Sequence, residues 1–84
     1  MSRATITLFA RPGCHLCDDA RNRLAALQAT HPFTLHERDI GTDDEIFKAY
    51  LERIPVVALD GVELYDFYVD VDDLRARLTA RGAE

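Results

Sequence analysis

The chain's two cysteines, Cys14 and Cys17, stand in one Cys-His-Leu-Cys unit at the junction of a strand-like run and a long helical pattern. A helix that begins at Cys14 aims its unpaired backbone N–H groups, and the positive end of its dipole, at the Cys14 sulfur; both favour thiolate over thiol. Cys17, three residues on and on the same side of the helix, is placed to reach back and resolve a mixed disulfide. Two cysteines scattered at random over a chain of this length fall three apart in roughly 2% of arrangements, so the spacing points to a redox dithiol rather than to chance. A structural or metal-binding role for the pair stays open at this point.

Length leaves room for little besides the scaffold of such a site. Eighty-four residues, 48% of them apolar, make a single domain spanning 1–84 with one small core. A net charge of −5, with no basic run interleaved with aromatics, argues against a nucleic-acid partner. The N-terminus, Met1-Ser2-Arg3-Ala4, leads directly into the strand pattern without an apolar signal segment, and no stretch approaches transmembrane length. The expectation is a cytoplasmic protein with no membrane partner. In that reducing compartment a lone Cys pair is catalytic or metal-binding rather than a permanent staple.

Charge divides unevenly. Residues 1–42 carry five basic and four acidic side chains, whereas residues 43–84 carry five basic and eleven acidic ones, so the cysteines sit in the less acidic half. Arg11, three residues before Cys14, is the nearest cation by sequence and is a candidate to steady a thiolate or bind a substrate carboxylate. Asp18 and Asp19 fall in the first turn of the helix, where they suit the dipole but oppose a thiolate.

The pattern along the chain alternates strand and helix. From Ala4 to Ala10, Thr5, Thr7 and Phe9 alternate with Ile6, Leu8 and Ala10, and Arg11-Pro12-Gly13 breaks the run. Cys17, Ala20, Leu24 and Leu27 repeat at helical spacing until Thr30-His31-Pro32. Phe33 to Ile40 reads as a second strand, parallel to the first across the connecting helix. Thr42-Asp43-Asp44-Glu45 predicts a capping box with Thr42 as N-cap, and the helix behind it carries an apolar stripe of Ile46, Phe47, Tyr50 and Leu51. After Ile54-Pro55, the runs Val56–Leu59 and Val62–Tyr65 flank an Asp60-Gly61 hairpin signal. Asp70 is the expected N-cap of a last helix with Val71, Leu74 and Leu78 on one face and Arg75, Arg77 and Arg81 near its end.

The order β-α-β-α-β-β-α resembles the thioredoxin fold in its minimal glutaredoxin-like form, and the chain is similar to small bacterial glutaredoxin-like proteins. The resemblance runs from about Thr5 to about Ala80 and rests on Arg11-Pro12-Gly13-Cys14-His15-Leu16-Cys17, Ile54-Pro55-Val56-Val57 and the Asp60-Gly61 hairpin. It implies an α/β fold with a four-stranded mixed sheet, strands one and three central, flanked by three helices, two on one face and one on the other. It makes Cys14 the nucleophile and Cys17 the resolving thiol. It also implies a cis Pro55 that presents the Ile54 backbone beside Cys14, where an extended substrate pairs like an added strand.

Departures from glutathione-using relatives bear on the cosubstrate. Those proteins carry Thr-Val-Pro and a Gly-Gly turn followed by an acid; here the stretches read Arg53-Ile54-Pro55 and Tyr65-Asp66-Phe67-Tyr68. Asp66 or Asp70 is left to replace the acid, while Phe67 and Tyr68 bring bulk where a close backbone approach is expected. Glutathione is therefore expected to serve poorly as a cosubstrate, held if at all through Arg11, and no bound cofactor is expected. His15, in the first turn, tunes the pair when protonated; His31 and His36 read as surface residues.

The leading expectation is a monomeric thiol–disulfide oxidoreductase acting on a small or protein disulfide, regenerated by glutathione or a thioredoxin reductase system. A metal or iron–sulfur module is the second reading, although Cys14, Cys17 and His15 fall short of four ligands. A redox-idle interaction module is the third.

Overall fold

The computed structural model of the chain describes residues 3–81, with Arg81 described by its backbone alone. Met1 and Ser2, which enter the expectation about a signal segment, and the Arg81 side chain, expected to suit the last helix dipole, lie outside the described residues.

Strand β1 (Thr5–Ala10) buries Ile6, Leu8 and Ala10 on one face and half-buries Thr5, Thr7 and Phe9 on the other, so a strict two-residue period packs both sides of a central strand. Strand β2 (Thr34–Asp39) runs parallel to it, in register from Thr5 with Thr34 to Ala10 with Asp39. Strand β3 (Val56–Leu59) pairs antiparallel with β1, and β4 (Val62–Asp66) antiparallel with β3, giving the order β2-β1-β3-β4. This is the thioredoxin-like mixed sheet expected from the resemblance. Asp60 and Gly61 both have positive φ, 49° and 87°, the conformation in which a two-residue turn matches the twist of its strands. Between the Val57–Tyr65 and Ala58–Glu63 pairs, Leu64 is the extra residue of a bulge.

Helix α1 (His15–Thr30) and helix α3 (Val71–Arg81) cover one face. Their Cys17, Ala20, Leu24, Leu27, Leu74 and Leu78 form one cluster with Ile6, Leu8, Ala10 and Val57. Asp70 caps α3 as expected, accepting from the Asp73 N–H at 3.0 Å. Arg75 and Arg77 do not simply face the end of α3: they pair at 2.8 Å with Asp72 and Asp73, three and four residues earlier. On the edge of the sheet, Arg21 of α1 grips Glu37 of β2 through Nε at 2.7 Å and Nη2 at 2.6 Å, and this hydrogen bonding holds the Glu37 carboxyl below its ordinary range.

Helix α2 (Asp44–Tyr50) lies against the opposite face, where the Tyr50 ring stacks on Phe9 with centroids 4.4 Å apart. Two expectations are corrected here. The N-cap is Asp43, not Thr42: its carboxylate accepts from the N–H groups of Glu45 and Ile46 at 2.9 and 3.2 Å, while the Thr42 hydroxyl donates to Asp39 O. Strand β2 stops at Asp39, because the Asp39 side chain accepts from the Gly41 N–H and opens a short 3-10 turn, Ile40–Thr42. The α2 stripe is also thinner than expected. Ile46, Phe47 and Tyr50 are half-buried, and Leu51 lies exposed beyond the helix end.

Candidate redox site

Three residues separate the end of β1 from the first cysteine, and one of them must turn the chain. Gly13 does so at φ +78°, with open space around the position a Cβ would take. Gly13→Ala is therefore expected to lower stability by roughly 1–2 kcal/mol, a purely conformational cost. A urea melt checks this, and an unchanged midpoint would contradict it.

The turn delivers Cys14 to the N-cap of α1 with extended backbone angles, φ −96° and ψ 112°. In that position its Sγ accepts the Cys17 N–H at 3.1 Å, in the way a capping oxygen would, and its carbonyl accepts the Asp18 N–H at 3.0 Å. Cys14 and Cys17 are joined as a disulfide, their Cα atoms 5.1 Å apart. The two sulfurs differ in access: Cys17 is 0% exposed, inside the core cluster, whereas Cys14 is half-buried at its edge. A backbone N–H aimed at a half-exposed sulfur stabilises negative charge there when the bond is opened.

Charges around the pair are largely committed. Asp18 and Asp19, expected to oppose a thiolate, are held by Arg21 at 2.7 Å and Arg23 at 2.8 Å. Arg11 is exposed, its guanidinium 5.6 Å from the centre of the Phe47 ring, a contact that limits where its charge can point. His15 and Leu16 are exposed on the first turn. His31 bonds Thr30 through Nδ1 at 2.9 Å and His36 is exposed on β2. Among the described residues no group of three His, Cys, Asp or Glu side chains is arranged to hold a metal ion. Among them, too, no helix is long and apolar enough to cross a membrane.

Ile54 and Pro55 come to the same end of the sheet as the cysteines, because the register that pairs Phe9 with Val56 places the residues before β3 opposite those after β1. Their peptide bond is cis, Pro55 is buried and Ile54 half-buried. The Ile54 N–H donates to Tyr50 O at 3.0 Å. With that N–H committed, an added strand can exchange at most one of the two backbone bonds of a full ladder pair at Ile54.

Neither acid left to replace the one that follows the Gly-Gly turn of glutathione-using proteins is idle. Asp70 caps α3, and Asp66 is held by a fork from Arg53, at 3.0 Å from Nε and 3.1 Å from Nη2. Arg53 also reaches Glu63 at 2.6 Å and lies over the Tyr50 ring, and the Tyr50 hydroxyl donates to Glu63 at 2.6 Å. The Tyr50 hydroxyl titrates above its ordinary range because of its bond to Glu63; Glu63 titrates below its own because of Tyr50, then Arg53. Beyond Asp66 the chain turns left-handed again. Phe67 sits at φ +67°, and its N–H donates to Pro55 O at 2.8 Å. Reading the sequence placed Arg53 before Ile54-Pro55 but gave it no role, and gave no sign of the Phe67 backbone; the strand register brings residues 53, 63 and 66 together, and an aromatic residue carries no signal for positive φ.

A family model described as a glutaredoxin-like domain (DUF836) matches residues 5–79. The chain belongs to the glutaredoxin-like domain family. An uncharacterized protein of Mycobacterium tuberculosis is 35% identical over 81 residues, covering 90% of this chain and 84% of that protein. Among solved structures, one from X. campestris superposes with a TM-score of 0.72 at 37% identity, over 89% of this chain and 96% of that one. A second, from Nitrosomonas europaea, reaches 0.79 at 26% identity over 92% and 93%. A thioredoxin from Halobacterium salinarum gives 0.67 at 18% identity over 94% and 74%, a likeness of fold. The glutaredoxin-like chain thus shares its scaffold with thioredoxins, and its Cys14–Cys17 disulfide is compatible with redox function.

Proposed function

We propose that this protein is a cytoplasmic thiol–disulfide oxidoreductase in which Cys14 attacks and Cys17 resolves. One observation supports the reading above others: the half-exposed Cys14 Sγ receives the Cys17 N–H at 3.1 Å, while the second sulfur is fully buried against it. In the reductive direction the Cys14 thiolate attacks a substrate disulfide, forming a Cys14–substrate bond and releasing one substrate sulfur as a thiolate that takes up a proton. Cys17 then loses its proton and attacks Cys14, forming the Cys14–Cys17 disulfide and releasing the second substrate thiol. The substrate gains two electrons and two protons, and the protein dithiol loses both. A disulfide of a small molecule or of a protein serves as substrate, and both sulfurs lie on one chain, so a monomer suffices. Two glutathione molecules, or a thioredoxin reductase system, return the electrons. Arg11 binds a substrate carboxylate and the Ile54 carbonyl a substrate N–H.

Thiol trapping after equilibration in dithiothreitol and glutathione buffers tests the reading. The expected result is reversible two-electron interconversion of the pair without loss of the fold. Reduction by glutathione is expected to be slower than by a thioredoxin reductase system at matched potential, because Asp66 is already held by Arg53. No interconversion at any poise would end the assignment.

A further inference from the structure

Phe67 presents a physical contradiction. Its φ of +67° lies in the left-handed region that bulky side chains avoid, and yet the residue is 45% exposed, so packing alone does not account for an aromatic there. The conformation is held from several sides. On one, the Phe67 N–H donates to Pro55 O at 2.8 Å and approaches Arg53 O at 3.3 Å. On another, the residue before it, Asp66, is forked by Arg53, and the Tyr68 N–H closes back on Asp66 O at 2.7 Å. Strain that the surroundings over-determine in this way is a mark of a working position. The ring it displays stands on the backbone that bonds Pro55, at the cysteine end of the sheet.

The backbone nearby offers a substrate little, since the Ile54 N–H is already given to Tyr50 O. Discrimination between disulfides must then come from side chains. We propose that Phe67 is the specificity-determining residue of the dithiol site, contacting an apolar side chain next to the cysteine of a polypeptide disulfide. This rests on the oxidoreductase reading above. Tyr68, the next residue in sequence, is 69% exposed, and Leu16, between the two cysteines on the first turn of α1, is 38% exposed, so exposed apolar side chains stand both beside Phe67 and within the dithiol turn. A disulfide whose neighbours are small or polar gains nothing from the ring.

Two synthetic peptides that differ only in the residue beside a cysteine of their disulfide, leucine in one and serine in the other, test this with the reduced full chain. The expected result is a preference in kcat/KM for the leucine peptide. Phe67→Gly lowers that preference about tenfold, mainly through KM, the size of effect expected when one well-placed aromatic contact is removed. Phe67→Tyr, which keeps the ring, holds the preference within about twofold. Because glycine relieves the left-handed conformation and the side chain lost is an exposed one, the Phe67→Gly denaturation midpoint stays close to that of the parent. The proposal is overturned if the parent shows no preference, if Phe67→Gly leaves the preference unchanged, or if both peptides slow equally while the midpoint falls, which would make the ring packing material. Interconversion of Cys14 and Cys17 measured on the same samples separates the two readings: if it persists while the preference does not respond, only the role of Phe67 fails, and if it is absent both fail.

Discussion

Cys17→Ser is expected to accumulate a stable mixed disulfide on Cys14 when incubated with a low-molecular-weight disulfide, and Cys14→Ser is expected to show no exchange above background. The asymmetry follows from access and from hydrogen bonding together. Cys14 is half-exposed and receives the Cys17 N–H, whereas Cys17 is fully buried in the core cluster. Serine at position 17 keeps the backbone N–H that supports the Cys14 thiolate but removes the sulfur that would displace the bound group. Intact mass measured before and after reduction reads the adduct, and peptide mapping assigns it. An adduct on Cys17 of the Cys14→Ser chain, formed as fast as the one on Cys14, would reverse the roles.

The largest effect on stability is expected from Leu24→Ala. Leu24 is 0% exposed on the face of α1 that meets β1 and α3 through the shared cluster, and removing a side chain of this size from such a place costs about 2–5 kcal/mol. A small domain has roughly 5–15 kcal/mol in total. The same helix carries Cys14 at its N-terminus, so loosening its core face should also broaden the geometry of the dithiol. Chemical denaturation gives the first quantity; the Cys14 alkylation rate under native conditions follows the second. A loss below about 1 kcal/mol would mean that the surroundings collapse onto the cavity.

The fold was legible in the sequence where period and punctuation agreed. The alternation of Ile6, Leu8 and Ala10 with Thr5, Thr7 and Phe9, the helical repeat from Cys17 to Leu27, and the Asp60-Gly61 turn each appear in the structure where they were read. It was less legible where two local solutions compete. Thr42 and Asp43 are both good caps, and Asp43 prevails because Asp39 has already claimed the Gly41 N–H and drawn the Thr42 hydroxyl to its own carbonyl. Around the dithiol, the Cys pair and Ile54-Pro55 could be read from local motifs. The Arg53, Glu63 and Asp66 network could not, because its members meet only through the bulged β3–β4 register.

The sheet's two borders have a consequence for how these chains behave at high concentration. β2 shows the outside His36, Glu37, Arg38 and Asp39 in succession, and β4 is short, acidic at Glu63 and Asp66, and kinked by its bulge at Leu64. Rows of charge and an interrupted ladder are poor templates for another strand. Growth into stacked β-fibrils is thereby discouraged at both edges.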